Sequence, residues 1–287
     1  MPDGLIDLHM HTVVSDGSDA PEKIPELVRS HGIRVFSVTD HDAVKGGDII
    51  ASLELPDDDM RFIRGVEFSC KDEGGKYHIL GYNYDPAAEV ILKLVEKAHG
   101  FRIEKIKARI ALLKEELGIT FPEEEISRLL AMDNPGKPHI GNLMVKYGYA
   151  ESKDRAISDQ INRLKIRSVW IRPEEAIGSI LEAGGIPVLA HPSLGSGDEM
   201  IRGDELDKRL GYLKGYGLQG VEGYYSGFNE ELRSEILAYA DKYSFYVTAG
   251  SDYHGTNKTV RLGDTGLGPK NRIPERLESF LRAVGIA

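Results

Sequence analysis

Residues 5–16 read LIDLHMHTVVSD, a short apolar run that leads into His9 and His11 and is followed by Asp16. The Leu and Ile content of the run predicts a buried β-strand. Because side chains alternate along a strand with period two, the two histidines of His9-x-His11 point to the same side, about 7 Å apart. Two imidazoles placed in this way can bind one metal ion or two neighbouring ions.

The same pattern, an apolar run that ends in polar residues, recurs along the chain. The further runs are VFSVTDHD (35–42), FIRGVEFS (62–69), KYHILGYNY (76–84), IPVLAHP (186–192), LQGVEGYY (218–225) and FYVTAGSDYHG (245–255). Helical patterns lie between several of them, at 21–32, 172–185 and 229–243. The alternation of strands and helices predicts an α/β protein with a parallel sheet or barrel, in which chemistry gathers at the carboxyl ends of the strands.

Residues 87–170 show helical periodicity throughout, and no strand signal returns before residue 186. We therefore expect two domains. The first is a discontinuous α/β domain formed by residues 1–86 and 171–287, and the second is a helical insertion at 87–170.

The composition excludes several classes of protein. With 287 residues, 41% hydrophobic and 29% charged, the chain has the proportions of a globular protein. The net charge of −10 has the wrong sign for a protein that coats nucleic acid, so we expect no long duplex as a partner. No apolar run approaches the roughly 20 residues of a membrane span, the N-terminus does not read as a signal peptide, and the single Cys70 fits a reducing compartment. We expect a cytoplasmic protein without a membrane partner.

Residues of metal-binding type stand at every predicted strand end except that of LQGVEGYY. The nine candidates are His9, His11, Asp16, His41, Glu67, His78, His191, Asp252 and His254. Each has an ordinary explanation when taken alone: Asp16 could be a turn residue, and His78 a half-buried strand histidine. Their joint occurrence predicts a metal site, and imidazole with carboxylate, without thiolate, suits Mn, Fe, Zn or Co.

Six segments carry a resemblance to a known family. In chain order, HMHTVVSDGSDAPEKI, SVTDHDAVKG, GVEFSC, YHILGY, LAHP and GSDYHG resemble the successive motifs of the PHP (polymerase and histidinol phosphatase) family. The order and loop lengths most resemble its YciV/TrpH-like phosphoesterases, which include the nucleoside 3′,5′-bisphosphate phosphatases and RNase AM. The resemblance implies a distorted (β/α)₇ barrel and three divalent metal ions (Mn, Fe or Zn).

The resemblance also implies how the ligands are shared. One ion would be held by His9, His11, Glu67 and Asp252, a second by Glu67, His78 and His191, and a third by Asp16, His41 and His254. Two segments depart from the family pattern: Lys137-Pro138-His139 replaces the usual Arg-x-His, and Tyr-Tyr-Ser-Gly follows the sixth strand in place of the commoner Tyr-His. These departures concern the substrate rather than the metal ligands.

The implied activity is hydrolysis of a phosphate ester by a metal-activated hydroxide. The expected substrate is a small nucleotide, either the 3′-phosphate of a nucleoside 3′,5′-bisphosphate or a short 5′-phosphorylated oligoribonucleotide trimmed from 5′ to 3′. Asp16, His191 and His254 are the expected catalytic residues. The alternatives are a histidinol-phosphate phosphatase and a non-catalytic PHP accessory or metal-binding module.

The charge distribution suggests where a second phosphate would bind. The insertion carries 15 Lys and Arg against 12 Asp and Glu, a charge of +3, which leaves −13 on the remainder. A basic helical lid on an acidic body suits an anionic substrate. The candidate substrate-binding residues are Arg102, Lys105, Lys137 and His139 in the insertion, with Tyr225 at the end of the sixth predicted strand. For Tyr225, packing in the core is an equally good explanation.

Overall fold

The computed structural model describes residues 5–195, 200–268 and 273–286 and has a mixed α/β architecture. Eight strands lie within these residues: β1 (Leu5–Asp7), β2 (Ile33–Phe36), β3 (Arg61–Phe62), β4 (Gly65–Asp72), β5 (Gly75–Tyr82), β6 (Ile186–Leu189), β7 (Gly220–Tyr225) and β8 (Tyr246–Gly250). The α-helices of the same residues are α1 (Ile24–Ser30), α2 (Lys45–Ala51), α3 (Glu89–Leu117), α4 (Glu123–Leu130), α5 (Lys137–Lys146), α6 (Lys153–Arg155), α7 (Pro173–Glu182), α8 (Gly203–Gly215), α9 (Glu230–Tyr243) and α10 (Glu275–Ala283).

The chain divides into two compact units, one formed by Met1–Val95 with Ile171–Ala287 and the other by Glu96–Trp170. We call them the α/β unit and the helical unit. The first boundary between them lies inside α3, and the second follows Trp170. The assignment of domains from the sequence, with an insertion at 87–170, stays a prediction.

The strands of the α/β unit form two sheets, in the orders β1-β2-β3 and β4-β5-β6-β7-β8. Most neighbours are parallel, as the alternation with helices predicts, but β5 runs antiparallel to both β4 and β6. The reason is the length of the connection, because residues 73–74 alone separate β4 from β5. A parallel crossover needs a dozen residues or more, whereas two residues are enough for a hairpin.

Several apolar runs form shorter strands than their sequences predict. The run at 62–69 is divided between β3 and β4, and β1 ends at Asp7, before the two histidines. His9 and His11 lie instead in the segment beyond β1, where Met10 forms an isolated parallel bridge with Tyr253. The prediction that His9 and His11 lie within a strand is therefore wrong. Asp252 and His254 likewise lie beyond the end of their strand, β8.

The core of the α/β unit lies between its strands and helices. All four residues of β6 are buried, as expected for a strand covered on both faces. Leu80 and Tyr82 of β5 belong to the same cluster, and the ring of Tyr82 packs at 5.3 Å from the ring of Phe280 in α10. The buried core thereby fixes the ends of the strands, where the candidate site residues lie.

The helical unit has a core of its own. Ile106 and Leu113 of α3 pack with Ile140 and Met144 of α5 and with Phe121, and all five are buried. This unit forms its own cluster because the apolar residues of each helix recur at three- and four-residue steps. Among the helices that the structure describes, none is both long enough and apolar enough to span a membrane.

We expect Tyr82→Phe to lower the free energy of unfolding by about 1 kcal/mol, because the buried Tyr82 hydroxyl donates to the Leu8 carbonyl at 2.9 Å and phenylalanine leaves that acceptor without this donor. Urea denaturation is the measurement. Tyr246→Phe is the matched control, because Tyr246 is only partly buried against the same core cluster. Equal stability of the two variants would contradict the role given to the Tyr82 hydroxyl.

Candidate metal centre

Glu67 of β4 occupies the centre of the site and is fully buried. One of its carboxylate oxygens, Oε2, faces three imidazoles. It lies 3.3 Å from Nε2 of His9, 3.2 Å from Nε2 of His11 and 3.0 Å from Nδ1 of His41. The segments after β1 and β2 thus bring their histidines to one carboxylate oxygen.

The other oxygen of Glu67, Oε1, faces two more imidazoles. It lies 2.9 Å from Nδ1 of His78 in β5 and 3.5 Å from Nε2 of His191, which follows β6. Five histidines from four segments that are far apart in the sequence therefore surround one buried glutamate.

Asp252 and Asp16 extend this cluster on the side of His254. Oδ1 of Asp252 lies 3.3 Å from Nε2 of His11 and 3.4 Å from Nδ1 of His254. Oδ1 of Asp16 lies 3.2 Å from Nε2 of His254. All nine residues predicted from the sequence as metal ligands are thereby close together in the α/β unit. Seven of them lie in segments that follow a strand, whereas Glu67 and His78 lie within β4 and β5.

The donor atoms form three overlapping groups, each within 4.8 Å, that could hold a metal ion. They are His11, Asp16, His41 and His254; His9, His11 and Glu67; and His41, Glu67 and His78. These groups share His11, His41 and Glu67, so the geometry suits several ions close together. The distribution of the nine ligands among three ions stays a prediction.

The donor atoms fit metal ions rather than hydrogen bonds among themselves. Among the residues that the structure describes, Nε2 of His9, Nε2 of His11, Nε2 of His254 and both oxygens of Glu67 are buried without a hydrogen-bond partner. Lone pairs that face each other at about 3 Å repel unless a proton or a cation lies between them. Nitrogen and oxygen donors in this arrangement suit a borderline or hard divalent cation.

Neighbouring carboxylates raise the pKa values of two histidines of the cluster. Burial by itself would lower the pKa of His11, but Asp252, Glu67 and Asp16 raise it to about 9. Burial would likewise lower the pKa of His9, and Glu222 and Glu67 raise it well above the usual value. A proton on Nε2 of either histidine would have to leave before that nitrogen could bind a metal ion.

His41 behaves differently from His9 and His11. Burial lowers the pKa of His41 to about 3, although Glu67 and Asp16 act in the opposite direction. The imidazole of His41 is therefore neutral near pH 7, which is the form that binds metal.

The backbone is strained at two of the predicted ligands. Asp252 has a φ of 59° and His191 a φ of 28°, in the region that residues other than glycine rarely adopt. Such conformations persist where the surrounding structure over-determines them, and they are concentrated at functional sites.

The predicted substrate-binding residues lie in two different units. Tyr225 belongs to the α/β unit, and its hydroxyl donates to Oδ2 of Asp252 at 3.1 Å. Its ring lies 5.5 Å from the ring of His191, so Tyr225 lies at the metal cluster although it is buried.

Arg102, Lys105, Lys137 and His139 belong to the helical unit, where three of them already have contacts. Nζ of Lys105 lies 3.2 Å above the ring of Trp170, and Nζ of Lys137 donates to Oδ1 of Asn162 at 2.6 Å. Nδ1 of His139 accepts the backbone N–H of Gly136 at 3.0 Å, which caps α5. The role of these four residues in substrate binding stays a prediction.

No protein-family model matches the chain. A 5′-3′ exoribonuclease of Haemophilus influenzae is 26% identical to it over 260 residues, which are 90% of this chain and 92% of that protein. A 3′,5′-nucleoside bisphosphate phosphatase of Chromobacterium violaceum is 27% identical over 263 residues, 89% of each chain. A crystal structure from Bifidobacterium adolescentis, provisionally assigned as a metal-dependent phosphoesterase, is 25% identical, covers 96% of this chain and 95% of that one, and has a TM-score of 0.78.

This chain is related to the PHP phosphoesterases. The similarity extends over nearly the whole length of the chain.

Glu222 of β7 is the residue of the PHP-type cluster that sequence reasoning missed. Its Oε1 accepts a hydrogen bond from Nδ1 of His9 at 3.0 Å, and its Oε2 accepts the backbone N–H of His191 at 2.8 Å. A carboxylate that binds one imidazole nitrogen fixes the tautomer and leaves the other nitrogen for a metal ion. The signal in the sequence is a glutamate within the predicted strand LQGVEGYY, the one strand for which no metal ligand is predicted.

Two further buried aspartates hold the loops that carry the ligands. Asp7 accepts hydrogen bonds from the backbone N–H of Ser251 at 2.9 Å and from its hydroxyl at 2.6 Å. Asp40 accepts the backbone N–H of Thr12 at 2.8 Å and the hydroxyl of Ser15 at 2.7 Å. These bonds connect the segment after β8 to β1, and the segment after β1 to that after β2.

We expect Glu222→Gln to weaken metal binding by about 10- to 100-fold, because glutamine accepts the same hydrogen bond without the charge that makes the His9 imidazole a stronger electron-pair donor to a metal ion. Metal titration of the chelated protein, followed by calorimetry and by elemental analysis, is the measurement. Glu230→Gln, at an exposed position at the start of α9, is the matched control. Equal metal affinity in both variants would rule out the orienting role of Glu222.

Proposed function

We propose that this protein is a metal-dependent phosphoesterase that hydrolyses a phosphate ester of a small nucleotide. The observation that carries the proposal is the buried carboxylate of Glu67, whose two oxygens face five imidazole nitrogens at 2.9–3.5 Å. Divalent ions held in such a cluster lower the pKa of bound water and neutralise phosphoryl oxygens. The names of the relatives, a phosphatase and an exoribonuclease, support the same class of reaction.

Exposure of the side chains suggests the side from which the substrate enters. The side chains of His9 and His11 have no exposed surface, whereas those of Asp16 and His78 are 41% and 33% exposed. We therefore infer that the ester approaches over Asp16 and His78, with the fully buried imidazoles beneath it.

The catalytic residues that we propose are Asp16, His191 and His254. Nδ1 of His254 donates to the carbonyl of Asp252 at 2.8 Å, which directs Nε2 of His254 toward Asp16. This hydrogen bond fixes the tautomer of His254, so that its Nε2 presents a lone pair to the site. His191 is held through its backbone N–H by Glu222, which keeps its ring at the edge of the cluster.

The substrate that we propose is a nucleoside 3′,5′-bisphosphate, which would lose its 3′-phosphate, or a short oligoribonucleotide with a 5′-phosphate. The names of the two relatives, a 5′-3′ exoribonuclease and a 3′,5′-nucleoside bisphosphate phosphatase, support this choice. The charge of +3 on residues 87–170, against −13 on the remainder, favours Arg102, Lys105, Lys137 and His139 as contacts for a second phosphate.

The number of metal ions, three, and their identity as Mn, Fe or Zn belong to the same proposal, as does a cytoplasmic location. So does closure of the strands into a distorted seven-stranded barrel. Two backbone contacts support closure: the N–H of Leu8 donates to Ala249 at 2.8 Å, and the N–H of Asp42 donates to Glu67 at 2.8 Å. These contacts join the segments of β1 and β8 and those of β2 and β4, across the two separate sheets.

A substrate panel tests the function. We expect the chelated protein to be inactive and Mn²⁺ to restore hydrolysis of 3′,5′-bisphosphoadenosine and of a 5′-phosphorylated dinucleotide, with much slower turnover of histidinol phosphate. Release of phosphate and of mononucleotide is the measurement. Preference for histidinol phosphate would favour the histidinol-phosphate phosphatase alternative, and a metal-loaded protein without turnover of any of the three would favour the accessory module.

The Glu67→Gln variant tests whether the hydrolysis arises at the metal cluster or from a contaminating enzyme. We expect this variant to lose at least about 100-fold in activity and to bind less metal, because a neutral amide replaces the charged central ligand. Glu89→Gln, at the start of α3, is the control. Activity of Glu67→Gln equal to that of the control would show that the hydrolysis arises elsewhere.

Substitution in the helical unit tests the second phosphate site. We expect Lys137→Ala and Arg102→Ala to raise KM for 3′,5′-bisphosphoadenosine by about 10-fold or more, since each removes a positive charge. KM for a simple aryl phosphate, which lacks the second phosphate, serves as the control. Equal effects on both substrates would contradict the assignment.

A further inference from the structure

Lys258 brings an ammonium group to the edge of the metal cluster. Its Nζ donates to Oδ2 of Asp252 at 2.8 Å, and the Tyr225 hydroxyl donates to the same oxygen at 3.1 Å. The other oxygen of Asp252, Oδ1, faces His9 and His11. Asp252 thus presents one oxygen to the cluster and the other to Lys258 and Tyr225.

The backbone that carries Lys258 is fixed at the rim of the site. Nδ2 of Asn257, the residue before Lys258, donates to the carbonyl of Asp16 at 2.9 Å, and the backbone N–H of Thr256 donates to Oγ of Ser18 at 2.8 Å. The N–H of Ser18 in turn donates to the carbonyl of His254 at 3.2 Å. Because these hydrogen bonds join the loops after β1 and β8, the backbone next to Lys258 is held in a defined position.

The lysine lies on the solvent side of the carboxylate. Its side chain is 43% exposed, whereas that of Asp252 is 8% exposed. An ammonium has three N–H donors, and the bond to Asp252 uses one of them. The exposed face of Lys258 can therefore donate to an anion that arrives from solvent at the cluster.

Lys258 is not the sole donor to the carboxylate of Asp252 among the described residues. Tyr225 is buried and already donates to Oδ2 of Asp252. A half-exposed ion pair by itself contributes little to stability. What Lys258 adds to the site is a positive charge next to a metal-facing carboxylate, where a phosphate group would carry its negative charge.

We propose that Lys258 binds the phosphate group of the substrate at the rim of the cluster. This inference rests on the function proposed above and adds a residue of the α/β unit to the contacts of the scissile phosphate. The ammonium donates to a phosphoryl oxygen from the side of Asp252 Oδ2 and acts as a point charge. Lys258 therefore binds the phosphate group of the substrate and does not contribute to recognition of the base.

The test compares Lys258→Met with Lys242→Met in the Mn²⁺-loaded protein. Lys242 is the matched control, because its Nζ lies 2.6 Å from Oδ2 of Asp207 in a lysine–aspartate pair between α8 and α9. The probe is inorganic phosphate, measured by calorimetry and as an inhibitor of ester hydrolysis. We expect Lys258→Met to weaken phosphate binding about 10-fold or more, Lys242→Met to leave it unchanged, and Lys258→Arg to retain most of it.

Metal content and melting temperature identify the cause of any loss. The proposal requires that Lys258→Met binds as much Mn²⁺ as the wild type and melts at the same temperature. Unchanged phosphate affinity in Lys258→Met overturns the proposal, and so does a loss of phosphate binding that follows a loss of metal, because Lys258 would then act through Asp252.

The same experiment separates this inference from the proposed function. Wild-type protein that hydrolyses the nucleotide substrates while Lys258→Met binds phosphate normally overturns the role of Lys258 and leaves the function standing. Wild-type protein that neither binds phosphate nor hydrolyses any of the substrates overturns both.

Discussion

The architecture of the site depends on the electrostatic cost of burying the carboxylate of Glu67 among imidazole rings. Its two oxygens face five ring nitrogens at 2.9–3.5 Å, and both oxygens lack a hydrogen-bond partner among the described residues. Such a concentration of lone pairs in a buried place is unfavourable unless protons or cations share it. The neighbouring carboxylates raise the pKa values of His9 and His11 against the opposing effect of burial. Divalent ions would replace those protons and turn the same arrangement into a hydrolytic site.

A second layer of buried carboxylates holds the predicted metal ligands in position. Glu222 orients His9 and His191, Asp7 connects β1 to the segment after β8, and Asp40 holds the loop after His11. None of the three lies among the nine predicted ligands, and each satisfies backbone or side-chain donors that would otherwise be buried unpaired. Because ligand positions must be fixed to within a fraction of an ångström, a metal cluster at strand ends requires such a layer.

The charge pattern connects the cluster to its proposed substrate. The chain is acidic overall, with a net charge of −10, yet its positive charges are unevenly distributed along the sequence. Lys258 lies at the edge of the cluster, and residues 87–170 carry a charge of +3. A small nucleotide with two phosphate groups matches this distribution better than a long nucleic acid does, since local positive charge can bind a small anion within an acidic protein.

The sequence by itself determined the mixed α/β class and the types of residue at the site, since its apolar runs end in His, Asp or Glu. It also predicted the helices that start near Pro173 and Asn229 and a helical stretch that is basic where the rest of the chain is acidic. Only the tertiary structure decided that β5 runs antiparallel, that His9 and Asp252 lie beyond their strands, and that Glu222 and Lys258 join the site. Local patterns report the preference of each segment for strand or helix and for burial. They do not report the distance between segments. Glu222 joins the site through His9, which is 213 residues away in the sequence. Lys258 joins it because the chain turns back onto Asp252.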